Sequence, residues 1–173
     1  MKKDGCPPRS MLSKDKKYCI LKKPLYHGTQ CKHREKILQN GLLVDCSIVH
    51  RETDDYNPEM SQWCGKECRG SDTGIYLTSS LEDAASYALD SSKDVPSHIL
   101  QNNELEDFDS NPDNACIATI HKLPVGTQIT PDGYGDIMTK GTSIPPECIQ
   151  SLHSLKEIKD NGIELPPEIR DSL

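Results

Sequence analysis

The sequence predicts an α+β domain built round a β-sheet. Two observations carry that expectation: short apolar stretches ended by proline or glycine outnumber helical ones, and both helix signatures, at residues 30–41 and 79–90, are brief. Length agrees, since 173 residues suit one domain and can bury a core without relying on disulfides or metals. No internal repeat interrupts this reading.

Each element follows from local chemistry. Residues 1–16 are charged and carry Pro7 and Pro8, so they read as a flexible N-terminal arm. "KYCILKK" (17–23) reads as a first strand stopped by Pro24, and "PLYHGT" as a short strand entering a glycine turn. "QCKHREKILQNG" has good helix formers, with Ile37 and Leu38 on an inner face and Gly41 just past the end. Residues 45–72 lose all regularity and contain the only tryptophan, Trp63; loops of that length are commonly binding loops or lids. Ile75–Leu77 then makes a strand, and Ser79 with Glu82 forms an expected capping box for a helix through Leu81, Ala84, Ala85 and Ala88. An acidic linker reaches about Asn114. "CIATIHKL" (116–123) is a strand ended by Pro124, and a final strand is expected near 148–155. The domain thus spans 17–160, with 161–173 as a peripheral tail.

Composition narrows the function classes. A net charge of -7 and a pI near 5.3 remove the electrostatic footprint of a general nucleic-acid binder, although lysines crowd the first 23 residues. No apolar run approaches a membrane span, and the N-terminus lacks an apolar signal core. The expectation is a soluble protein, cytoplasmic or delivered into a host cell without a conventional signal peptide. Eight cysteines leave three alternatives open: free thiols as the default, some disulfides, or a zinc site, for which Cys64 and Cys68 supply one imperfect ligand pair.

Three features stand in order along the chain: His27 with Gly28 and Thr29, then Tyr76 with Tyr87 eleven positions later, then Asp136 in a glycine-flanked loop. Such a set suits NAD. Aromatic faces can sandwich the cationic nicotinamide. Backbone can supply the donor and acceptor its carboxamide needs, and a histidine or hydroxyl can bond a ribose hydroxyl. A carboxylate can stabilise the oxocarbenium-like cation formed when the nicotinamide–ribose bond breaks, as carboxylates do in glycoside hydrolysis.

"LYHGTQCKHREKILQNGLLV" followed by "GIYLTSSLEDAASYA" resembles the histidine–tyrosine–glutamate class of ADP-ribosyltransferases, the superfamily that includes poly(ADP-ribose) polymerases. The matched blocks cover about a fifth of the chain. The resemblance implies a split β-sheet core with short flanking helices and NAD as co-substrate, with no metal. It further implies that His27 holds the adenosine-side ribose, that Gly28 grips the nicotinamide amide through its backbone, and that Thr29 adds a hydroxyl contact. Tyr76 and Tyr87 would line the nicotinamide.

The third motif departs from the class, which normally places a glutamate there. Its position falls on Asp136, with Asp132 and Glu147 as rivals. An aspartate has shorter reach, which favours mono-ADP-ribosylation or NAD hydrolysis over polymer synthesis. The expected acceptor is a protein or small molecule rather than nucleic acid, and no membrane is involved. Alternatives are an NAD glycohydrolase and a module that binds NAD or ADP-ribose without turnover. RNA 2′-phosphotransfer is disfavoured by the few arginines, of which only Arg34 lies in the matched blocks.

Overall fold

The computed structural model describes residues 4–43, 74–92, 109–131, 137–140, 143–171 and 173. Trp63 and the irregular 45–72 stretch, with Cys46, Cys64 and Cys68, lie outside the described residues, as do Asp132 and Asp136.

Among the described residues the chain forms seven strands and four α-helices. They are β1 (Ser10–Leu12), β2 (Tyr18–Gln30), α1 (Arg34–Asn40), β3 (Gly74–Leu77), α2 (Leu81–Ser91), β4 (Ala115–Pro124), β5 (Ile129–Pro131), β6 (Ile137–Lys140), β7 (Ile149–Ser154), α3 (Leu155–Asp160) and α4 (Pro167–Arg170). Two antiparallel sheets result, one of four strands ordered β1-β2-β4-β7 and one of three ordered β3-β6-β5. The α+β class is therefore correct.

Strand β4 explains the layering. Its "ACIATI" run is apolar on both faces because both are covered. Cys116, Ala118 and Ile120 point to a core shared with Ile37, Leu42, Ile75, Leu77, Ile144 and Leu152. Ala115 and Ile117 point the other way, to Ala84, Ala85, Ala88, Leu155, Ile158, Leu165 and Ile169. One face of the larger sheet thus meets the smaller sheet and α1, and the opposite face is covered by α2, α3 and α4.

Several sequence expectations need correction. Residues 1–16 are not a free arm: Ser10–Leu12 pairs with Cys19–Leu21, and a Cys6–Cys19 disulfide fixes the preceding turn, leaving Cys6 fully buried. Pro24 does not end the strand. β2 runs through it because the register with β4 breaks between Ile20 and Leu25, where a missing N–H costs no ladder bond. The cap of α2 is Ser80 rather than Ser79, its side chain accepting from Asp83 N–H at 3.1 Å. The capping box with both reciprocal bonds occurs instead at Ser154 and Glu157, where β7 turns into α3. Residues 161–173 are not peripheral throughout, since Leu165 and Ile169 are buried in the helix-side core.

The free-thiol default also fails. Cys6–Cys19 and Cys31–Cys116 are disulfides, spanning 13 and 85 positions. Loop-closure entropy makes these worth ~3 and ~4.5 kcal/mol against the unfolded chain. Among the described residues Cys148 alone is unbridged, and burial pushes its thiol up to about 12.

Gly41 sits where the sequence places it, closing α1 with its N–H donating to the Ile37 carbonyl at 2.7 Å and φ at +79°. A Cβ there would overlap the Ile144 carbonyl oxygen. That carbonyl accepts from Leu42 N–H at 2.8 Å, so Gly41 lets α1 dock on the stretch leading to β7. Replacing Gly41 by alanine is expected to cost about 2–4 kcal/mol, from left-handed strain and overpacking together. Urea titration of the variant against the parent chain measures it.

Candidate functional site

Gly28, Tyr87 and the exposed Tyr76, singled out by sequence, lie around one edge of β2. The β4 ladder fixes their orientation: Tyr26, His27, Gly28 and Thr29 pair with Thr119, Ala118, Ile117 and Cys116. Side chains alternate. His27 and Thr29 therefore face the core between the sheets, while Tyr26 and Gly28 face α2.

Tyr26 points its N–H and C=O away from β4. Its N–H donates to the Thr78 carbonyl at 2.8 Å, and its own carbonyl accepts from Thr78 N–H at 3.0 Å. In an antiparallel ladder, N–H and C=O groups two residues apart point to the same side. Those of Gly28 are thus directed to the edge opposite β4, just past the Thr78 bridge. Among the described residues no strand pairs with β2 there beyond that bridge.

Gly28 is demanded by packing. A Cβ at this position would overlap the Ala84 carbonyl oxygen and lie 2.7 Å from Ala88 N and 3.1 Å from Tyr87 Cβ. Helix α2 rests its small-residue face, Ala84, Ala85 and Ala88, directly on the β2 backbone, and all three are fully buried. The same contact brings Tyr87, half-exposed at 51%, next to Gly28. Gln30, on the same face, reaches the Ser91 carbonyl with its side-chain amide and so ties the end of α2 to the strand.

His27 lies on the other face and is buried. Its Nδ1 is 2.8 Å from the Tyr76 carbonyl oxygen. A carbonyl only accepts, so Nδ1 carries the hydrogen, and in the neutral ring Nε2 is left as the acceptor. Strand β3 places the Tyr76 side chain outward, 51% exposed, because its neighbours Ile75 and Leu77 fill the core. Of the five expected binding residues, Gly28 and Tyr87 meet at this edge, Tyr76 is exposed on the neighbouring strand β3, and His27 faces the inter-sheet core with its Nε2 buried. Thr29 is not presented at the edge: it is fully buried, and its Oγ1 has no hydrogen-bond partner among the described residues. The hydroxyl contact expected of Thr29 has no exposed atom to make it.

Of the candidate carboxylates, only Glu147 is described. Its Oε1 accepts from the Tyr18 hydroxyl at 2.6 Å, and Lys122 Nζ stands 4.2 Å over the Tyr18 ring. This bond lowers the Glu147 carboxyl and raises the Tyr18 phenol to about 12. Tyr18 pairs with Pro124 and His27 with Ala118, six residues apart along β4. At ~3.3 Å per residue, the Tyr18 that Glu147 binds lies roughly 20 Å along the sheet from His27. Glu147 is a surface partner of Tyr18. Asp136 directly precedes Ile137 in the chain, and Ile137 pairs with Leu77 in β3.

No protein-family model matches the chain, and no curated protein matches it. No described helix is long and apolar enough to cross a membrane. Geometry and sequence are therefore what a functional reading rests on.

Sequence reasoning overlooked two supporting contacts, Tyr26–Thr78 and Gln30–Ser91, which fix the strand edge and α2 respectively. Both partners are joined by backbone carbonyls, which leave no sequence pattern. Gly28→Ala is expected to lower stability by about 1–3 kcal/mol, since helix backbone must move to admit the methyl group. Chemical denaturation of the variant tests this; an unchanged midpoint would show that α2 does not rest on the strand.

Proposed function

We propose that the chain is an NAD-dependent mono-ADP-ribosyltransferase of the histidine–tyrosine–glutamate kind, with its nicotinamide site at the β2 edge beside α2. One observation carries the reading. Gly28 directs one N–H and one C=O to the strand edge, with Tyr87 beside it, and a carboxamide needs one donor and one acceptor next to an aromatic face. The two-sheet architecture is compatible with the split sheet of that fold.

Each group then has a task. Gly28 holds the carboxamide, and Tyr76 and Tyr87 offer ring faces to the nicotinamide. His27, with Nδ1 held by the Tyr76 carbonyl, is the residue the resemblance assigns to the adenosine-side ribose, and its Nε2 is buried behind the strand edge. Bond cleavage releases neutral nicotinamide and leaves positive charge on the ribose, which a carboxylate facing it stabilises. Glu147 is engaged elsewhere, so that role falls to Asp136 or, failing it, Asp132. ADP-ribose then passes to a nucleophile on a protein or small molecule. An aspartate's short reach favours a single transfer over chain growth.

NAD labelled on its adenine side tests the proposal. Label on an acceptor is the expected result; free ADP-ribose would indicate a glycohydrolase, and binding without turnover a binding module. Asp136→Asn should reduce transfer by about 10²–10³-fold while NAD affinity changes little. Unchanged transfer in that variant would remove Asp136 from the mechanism. His27→Ala should instead weaken NAD binding itself, by about tenfold for one lost hydrogen bond, measured by calorimetric titration.

A further inference from the structure

We infer that the Cys31–Cys116 disulfide is a thiol-exchange site, opened by attack on Cys31 with Cys116 as the leaving group. Three observations converge. Of the four residues in the two bridges, Cys6, Cys19 and Cys116 are fully buried and only Cys31 is part-exposed. An incoming thiolate therefore meets Cys31 as the one part-exposed residue of the four, and collinear attack on its sulfur expels Cys116.

The leaving sulfur has a cation waiting. Arg34 Nη2 is 3.6 Å from Cys116 Sγ, at the distance of a hydrogen bond to sulfur. The guanidinium is oriented by a two-point contact with Glu157, Nη1 to Oε1 at 3.2 Å and Nη2 to Oε2 at 2.8 Å. Glu157 is itself placed by its capping-box bonds with Ser154. Arg34 also holds the Glu157 carboxyl below its ordinary range, keeping the pair ionised. A guanidinium beside a sulfur stabilises the thiolate, and a better leaving thiolate speeds exchange. At the Cys6–Cys19 bridge the polar contact of Cys19 Sγ is instead with the Gly5 carbonyl oxygen, at 3.9 Å.

The step balances with a dithiol as reductant. Its thiolate bonds to Cys31 Sγ, the Cys31–Cys116 bond breaks, and Cys116 departs as thiolate beside Arg34. The second thiol then displaces Cys31, so the dithiol is oxidised by two electrons and the bridge is reduced to two thiols. Cys116 pairs with Thr29, and Cys31 follows Gln30 directly, so the exchange removes the covalent tie between β4 and the end of the strand that carries His27 and Gly28. The inference goes beyond the NAD reading and does not depend on it.

The test uses the full oxidised chain. Limiting reduced glutathione, followed by rapid alkylation and peptide mapping, should show the mixed disulfide on Cys31; adducts on Cys116 would overturn the assignment. In dilute dithiothreitol, Cys31–Cys116 should open at least tenfold faster than Cys6–Cys19, and equal rates or the reverse order would refute it. Arg34→Ala should slow that opening about tenfold and Arg34→Lys should restore most of it. Since lost stability would accelerate opening, a slower Arg34→Ala variant cannot be a folding artefact. Opening as fast as in the parent chain in both variants would contradict the role of Arg34.

Discussion

The fold around the candidate site depends on a single close contact, the backbone of α2 lying on the backbone of β2 at Gly28. No side chain separates them. Ala84, Ala85 and Ala88 give the helix a face flat enough to approach, and the missing Cβ of Gly28 gives the strand a place to receive it. Dispersion at such contacts is individually small but numerous. The consequence is positional rather than merely stabilising. A helix this close must put its next outward residue, Tyr87, beside the strand edge.

The same strand divides its labour by alternation. His27 goes to the inter-sheet core, where the Tyr76 carbonyl fixes its tautomer; Gly28 faces the helix; and the N–H and C=O of Gly28 are directed to the edge past the Tyr26–Thr78 bridge, which no described strand pairs. One strand thus sets a helix-borne ring and a backbone donor–acceptor pair at its edge and holds an imidazole inside the sheets. The alternation of a ladder does this.

What the sequence made legible, it made legible through periodicity and punctuation. Gly41 after α1, the strand–helix pair at Ile75–Ala88 and the β4 run were visible because glycine, small-residue spacing and apolar continuity are local signals. The misread parts are those decided by contacts distant in the chain. Pro24 reads as a strand end until the irregular register with β4 shows that its absent N–H is not needed. The N-terminal residues read as an arm because their polar composition hides the Cys6–Cys19 bond. Leu165 and Ile169, two apolar residues in a polar tail, gave too weak a period to announce that they complete a core. At the site, Thr29 was legible as a motif letter but not as a buried side chain, since the motif does not state which face of the strand it uses.

The central claim is that α2 rests on bare β2 backbone at Gly28. It is tested most directly by proton–proton Overhauser effects in solution on the isotope-labelled chain. Strong cross-peaks from the Gly28 α-protons to the Tyr87 β-protons, with further ones to Ala84 and Ala88, are the result the account predicts. Their absence, with α2 otherwise helical, would contradict it.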